Sequence, residues 1–323
     1  MTNMNLYSRG DRLFVIVNMV LIGLFTISTL YPFIYIASMS MSTGFEARAG
    51  NVILTPVGFT LEAYKQVLSE PLFWSSYANT FIYTIGGTLM SLAFIIPGAY
   101  ALSKPQLYGR RFWNLVVAFT MWFNAGLIPF FLNMRDLGLL DSYFGIIIGF
   151  AVNGFNIILL RNFFEGIPRS FEEAARMDGA NEFQVLWKVY VPLSKPAIAT
   201  VALFCIVSRW NGFFWAMVLL QDEDKIPLQV YLRKVIVELS DDEEFATSLL
   251  TAAYSVETVT AAIIVCSIIP ILMIYPFLQK YFSKGIPARR GEGVSGARTG
   301  LRRSPVRART PEALPRAWQP KTE

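Results

Sequence analysis

The chain has 323 residues, 54% of them hydrophobic and only 16% charged, with a mean hydropathy of +0.44 and a formal net charge of +5. Soluble domains carry about 25% charged residues. The apolar residues here come in blocks too long for a soluble enzyme and lack the roughly ten-residue alternation of an outer-membrane barrel. The absence of His removes His-based proton relays, haem ligation and zinc sites, and Cys205 and Cys266 sit inside apolar blocks as packing residues rather than as a disulfide or metal pair.

Six membrane-spanning helices are predicted in chain order, at about Leu13–Met39, Tyr77–Leu102, Phe112–Leu132, Tyr143–Leu160, Ile198–Leu220 and Val259–Phe282. The first is much longer than the h-region of about 7–15 residues in a signal peptide, so it reads as an uncleaved anchor. Pro97, Pro129 and Pro270 fall within or near spans, where neighbouring helices and waters satisfy the freed carbonyls. With the N-terminus in the cytoplasm, 21 Lys and Arg lie on cytoplasmic pieces and six outside, which puts both ends inside. The net charge is therefore a sum over two opposed faces and not a nucleic-acid footprint. The outside loops at about 40–76 and 221–258 are long. The second is acidic, with Asp222, Glu223, Asp224 and 241–244, and has room for a short helix. Both fit an external partner as well as plain solvated connectors.

The loop between spans four and five, residues 161–197, carries the most information. Ser170 with Glu173 three residues on has the form of a capping box, and Glu172 and Glu173 fall at the favourable positive end of the helix they open. Gly179 is a natural C-terminal stop. Asn181 with Gln184 would cap a second short helix that halts before Pro192. Phe183, Leu186, Trp187 and Tyr190 fall at i, i+3, i+4 and i+7, one apolar face. The loop is thus a helix–turn–helix at the membrane surface, with Ala174, Ala175 and Gly179 keeping one side small enough for another protein to approach. On these physical grounds alone it serves equally as an interfacial connector. From Gly285 onward Pro alternates with Arg, Gly and Ser, so residues 286–323 form an Arg/Pro-rich disordered cytoplasmic tail behind a membrane domain at 1–285.

Glu172-Glu173-Ala174-Ala175-Arg176-Met177-Asp178-Gly179-Ala180, with Pro192 thirteen residues after Gly179, resembles the EAA motif of ABC importer permeases, in the version of the carbohydrate-uptake, maltose-permease-like subfamily. Leu137–Ser142, Phe163–Pro168 and Trp210-Asn211 resemble that subfamily too, and the similarity covers about residues 10–285. The basic tail departs from the subfamily's short apolar-glycine end. The resemblance implies an all-α integral membrane permease with a cytoplasmic coupling helix-turn-helix. It implies a second permease subunit (a heterodimer), two ATP-binding subunits carrying ATP-Mg, an extracytoplasmic solute-binding protein and an oligosaccharide substrate, all at the bacterial cytoplasmic membrane and its lipid. Glu172, Glu173, Ala174, Ala175, Asp178 and Gly179 would then form the ATPase-coupling element, with Glu172 paired to a basic ATPase residue. The chain has no GxxxxGK[ST] phosphate loop and so binds no cofactor itself.

Sugars are held by aromatic faces and planar hydrogen-bonding groups. Asn124, Asn153, Asn156, Trp210 and Asn211 are the candidates for the substrate path, together with Trp122 and Trp215, although packing and interhelical hydrogen bonding explain such residues as well. Arg209 is sharper. It falls about twelve residues into span five, where an unpartnered Arg costs about 2.5–3.5 kcal/mol. Its partner is either structural or an acidic, uronate-type substrate. An intramembrane enzyme or an ion-coupled secondary transporter would need a carboxylate or His at membrane depth, and the predicted spans hold neither.

Overall fold

A computed structural model describes residues 9–241 and 254–282. The expected tail at 286–323 and the acids at 242–244 lie outside the described residues. The described residues are helical, with no strand. In chain order the helices are α1 Arg9–Ser40, α2 Gly44–Arg48, α3 Glu62–Ser69, α4 Pro71–Ser103, α5 Arg110–Trp122, α6 Leu127–Asp136, α7 Tyr143–Gly149 and α8 Gly154–Glu165. They continue with α9 Arg169–Met177, α10 Glu182–Leu193, α11 Lys195–Trp210, α12 Phe214–Leu219, α13 Leu228–Asp241 and α14 Val256–Phe282.

Three stretches are single helices long and apolar enough to cross a bilayer: Leu13–Ser40, Pro71–Ser103 and Val256–Ile274. Three more qualify only as bent pairs: α5 with α6 at 113°, α7 with α8 at 50°, and α10 with α11 at 85°. Counting each pair as one span gives the expected six, but spans three, four and five are not the continuous helices that hydropathy suggests. The causes are local. Gly126 takes φ 90 between α5 and α6, a conformation that L side chains resist. Asn153 leaves the helix to accept the Asn156 N–H and cap α8. Ser194, at φ −104 and ψ 14, separates α10 from α11. Asn211-Gly212, both poor helix formers, make a further break that ends α11 at Trp210, so the expected run to Leu220 is completed by the separate helix α12.

Pro71 opens α4 at its first turn, where its missing N–H costs nothing. Along one side of α4, Ser76, Thr80, Thr84, Gly87, Thr88 and Ser91 recur at helical spacing, and all are buried. In a bilayer the lipid tails are as apolar as Leu, so helices associate through such small, close-packing faces and through interhelical hydrogen bonds. Asn79 donates to the carbonyls of Asp224 and Ile226, the Tyr143 hydroxyl donates to Asn79, and the Leu228 N–H is taken by Thr80. The core is double. One cluster, around Phe73, Tyr83, Met134, Leu219, Leu228 and Ile263, fills the end of the bundle at the α12–α13 junction. The other, around Ile95, Leu160, Phe164, Val185 and Val201, fills the end that carries α9. Helix α4 runs through both. By contrast, none of the 18-residue apolar window of α1 is buried within this chain.

Candidate transport path and coupling site

Two of the helix breaks open onto one cavity of about 610 Å³, whose lining includes Asn153, Asn156, Phe204, Arg209, Asn211 and Trp215. That volume suits a small ligand. The α7–α8 break supplies Phe150 and Asn153, and the α11–α12 break supplies Asn211 and Phe213. Phe130 of α6 packs at 4.5 Å against Trp215 and at 5.3 Å against Phe150, both tilted, which brings the α5–α6 pair to the edge. Of the expected path residues, the structure brings Arg209, Asn211, Asn153 and Asn156 to this cavity. Trp215 lines it as well, while Trp122, Trp210 and Asn124 lie elsewhere, Trp122 exposed at the end of α5. Trp210 is fully buried on the opposite side, donating Nε1 to the Ser267 carbonyl at 3.1 Å and lying edge-on to Phe81. Asn124 is exposed in the α5–α6 break, where its Oδ1 accepts the Gly126 N–H at 2.9 Å; it serves the turn, not the cavity.

Among the described residues, Arg209 is the one charged residue lining the cavity. It stands in the last turn of α11, where a cation meets the negative end of the helix dipole. Its guanidinium donates to the carbonyls of Ile146 at 2.7 Å and Ile147 at 3.1 Å, in the last turn of α7. Those carbonyls have no intrahelical donor because α7 stops at Gly149. Arg209 thus satisfies a helix end created by a break, and its structural partner is backbone. The approach is possible because Gly87 has no side chain: a Cβ there would meet Arg209 Nε at 2.9 Å.

At the other end of the bundle α9 begins at Arg169 behind Pro168, and no side chain caps it. The expected Ser170–Glu173 capping box does not form, because the helix starts two residues earlier than that box requires and places Ser170 inside its first turn. The second box does form: Asn181 Oδ1 accepts the Gln184 N–H at 2.8 Å and Gln184 Oε1 accepts the Asn181 N–H at 3.0 Å. Gly179 takes φ 82, the left-handed turn expected of it. Helix α10 does not halt before Pro192 but runs to Leu193. Its residues Leu186–Tyr190 widen into a π turn, with the Val191 N–H on the Leu186 carbonyl five residues back. That wider register sits where Pro192 has no N–H to offer. The expected apolar face of α10 splits. Leu186 and Tyr190 are buried, whereas Phe183 and Trp187 pack on each other at 6.0 Å and stay exposed.

Glu172 corrects the expectation of an exposed carboxylate awaiting a cation. It is buried, and accepts from Lys104 Nζ at 2.5 Å, from the Tyr190 hydroxyl at 2.8 Å and from Arg176 at 2.9 Å. Burial alone would raise its pKa, but these three donors together outweigh burial and hold the carboxyl below the usual carboxylate range. Phe171, Glu173, Ala174, Met177 and Asp178 form the exposed side of α9, with Met177 88% exposed. Met177 and Phe171 carry most of its apolar area. Sequence reasoning passed over them because an Arg-Met within a charged helix reads as solvated surface. Ala175 is half-buried against the core.

The family model described as binding-protein-dependent transport system inner membrane component matches residues 1–287. The chain belongs to that family. It is 39% identical over 279 residues to Protein LplC of Bacillus subtilis (strain 168), covering 86% of this chain and 95% of that one. It is also 39% identical over 263 residues to the polygalacturonan/rhamnogalacturonan transport system permease protein YtcP of the same organism, covering 81% and 92%. Among solved structures, a chain from a bacterial ABC transporter involved in the import of the acidic polysaccharide alginate is 64% identical, with a TM-score of 0.82, covering 86% of this chain and 100% of that one. A chain from an alginate ABC transporter bound to its pentasaccharide-loaded periplasmic protein is 16% identical with a TM-score of 0.57, a likeness of fold. The family is one of transporter permeases, so the broken helices and the cavity belong to a membrane transport subunit and not to an intramembrane enzyme.

Proposed function

We propose that this chain is one of two permease subunits of an ATP-driven importer of acidic oligosaccharides in the bacterial cytoplasmic membrane. Two ATP-binding subunits holding ATP-Mg and an extracytoplasmic solute-binding protein complete the machine. The α9 end faces the cytoplasm, as the basic residues on its side of the spans require. The ATPase seats against the exposed face of α9, at Phe171, Glu173, Ala174, Met177 and Asp178, while Glu172 holds that helix to its own subunit. Closure of the ATPase moves α9, and the spans rock between inward- and outward-facing states.

The observation that carries the acidic cargo is Arg209, among the described residues the one cation lining a cavity built of aromatic, aliphatic, Asn and Ser side chains. The Ile146 and Ile147 carbonyls and the Ser91 hydroxyl occupy three donors of its guanidinium, which has five. The remaining two N–H groups suit a carboxylate, whereas a neutral sugar needs no such charge. Discontinuous helices near the middle of a transporter, with unwound backbone at the cavity, are where substrates are held. The 64% identity to a chain of an alginate importer supports the same reading.

The test uses the complex reconstituted with its partner subunits. Binding protein loaded with a uronate oligosaccharide should stimulate ATP hydrolysis, and the methyl-esterified, uncharged form of the same oligosaccharide should not. Equal stimulation by the ester, or by a neutral maltose-type oligosaccharide, would remove the assignment of an acidic cargo.

A further inference from the structure

Lys104 is the residue directly after α4, and its side chain is mostly enclosed where three elements meet. Its Nζ lies 4.1 Å from the centroid of Tyr100 on α4 and 4.1 Å from that of Tyr190 on α10, between two aromatic faces. Its third neighbour is the Glu172 carboxylate of α9 at 2.5 Å, with both side chains 12% exposed. The surrounding bonds close a ring. Tyr190 donates its hydroxyl to Glu172 at 2.8 Å, Tyr100 donates its hydroxyl to Glu182 at 2.7 Å, and Arg176 joins Glu172 to Glu182. An enclosed ammonium with one carboxylate and two ring faces has no equivalent position to move to. Removing one partner of such a pair strands the other charge away from water. Helix α9 has few other ties to the bundle: its buried residue is Glu172 alone.

We propose that Lys104 is a positioning residue that fastens the coupling helix α9 to the end of span α4, so that displacement of α9 is delivered into α4 as a rigid-body movement. Helix α4 is the right recipient. It packs through both core clusters, and at Ser91 and Gly87 it touches Arg209, the cation of the cavity. A push at Glu172 therefore reaches the cavity wall through one continuous helix. The proposal rests on the reading of the chain as a permease driven by a separate ATPase.

The experiment compares wild type, Lys104→Met and Lys104→Arg in the reconstituted transporter, reading assembly, basal hydrolysis, cargo-stimulated hydrolysis and sugar transported per ATP. Lys104→Met keeps the stem and removes the charge. Assembly and basal hydrolysis should survive, while stimulation and the transport-to-ATP ratio fall by roughly 5- to 150-fold, the usual span of a coupling between sites. Lys104→Arg, which keeps the charge and also stacks on rings and pairs with carboxylates, should restore much of the ratio. Unchanged coupling in Lys104→Met would overturn the proposal. If that variant fails to assemble, Tyr190→Phe decides: it removes one bond to Glu172 and leaves the ring, and a lowered ratio supports the clamp while a wild-type ratio overturns it. Wild type that shows no ATP-dependent transport with its partners would refute the importer reading instead, before Lys104 is at issue.

Discussion

At the scale of single residues, Arg209 and Gly87 act as one unit. The guanidinium reaches the α7 carbonyls only because the α4 backbone is bare at position 87, and both ends of the Arg are constrained: its stem by α11, its head by Ile146 and Ile147. Gly87→Ala should therefore force the guanidinium off those carbonyls. Gly98→Ala, on the same helix with nothing within 4 Å, should be silent in the same thermal-melting and transport assays. Arg209→Gln leaves two helix-end carbonyls without a charged donor, which should cost about 1.5–3 kcal/mol of stability. If Arg209 also meets cargo, transport of the uronate oligosaccharide should fall further than that of its methyl ester. Equal loss on both would confine Arg209 to its structural duty. The sequence marked Arg209 because a lone cation in an apolar run must have a partner. It could not name that partner, because the carbonyls of residues 146 and 147 become available only through a helix end more than sixty residues away.

At the scale of elements, what the sequence disclosed was local chemistry, and what it hid was long-range pairing. Gly179 and the Asn181–Gln184 box were readable because each acts within three residues of itself. The breaks in spans three and five had signals, Asn124-Ala125-Gly126 and Asn211-Gly212, that a hydropathy window averages away. The break at Phe150-Ala151-Val152 is itself apolar, and its signal, Asn153-Gly154, is averaged away in the same manner. The inward turn of Glu172 was invisible, since Lys104 lies 68 residues earlier. That turn has a pH consequence. A carboxyl whose folded pKa lies below its unfolded value stabilises the fold above the unfolded value, and the contribution is lost as pH falls through the folded one. The α9 loop should thus be unchanged between about pH 7 and 5 and loosen only below about pH 4.3, the ordinary glutamate pKa. Limited proteolysis of residues 161–197 against pH would show it, and Glu172→Gln should be cleaved readily at neutral pH too. Gly179→Val tests the turn separately. Nothing lies within 4 Å of the missing Cβ, so the cost is that of the left-handed backbone alone, about 1–2 kcal/mol. It should tilt α9 and lower ATPase docking without disturbing the Lys104–Glu172 pair.

At the scale of the whole molecule, the net charge and the transport machinery belong to different parts of the chain. Residues 286–323 hold nine Lys and Arg against three Glu, which is more than the entire formal charge of +5. The membrane domain taken alone is close to neutral, with its basic residues in excess at one end of the expected spans and its acidic residues in excess at the other. The family match stops at residue 287, and 86% of this chain already covers the whole of a 64% identical chain from an alginate importer. The described residues that couple and that line the cavity all lie between positions 83 and 227. A segment with almost no apolar content has little surface with which to hold a partner subunit, and its charge attracts anionic lipid only by a screened, long-range force. Truncation after Gly285 should therefore leave subunit assembly and sugar-stimulated ATP hydrolysis at wild-type levels while lowering the isoelectric point from about 9.1. The measurement is co-purification of the partner subunits with the truncated chain, followed by transport in vesicles of neutral and of anionic lipid. Loss of the complex in both lipids would make the tail a subunit contact, and loss confined to anionic vesicles would make it a membrane anchor. Retention in both would place the whole of the transport function within the part shared with the family.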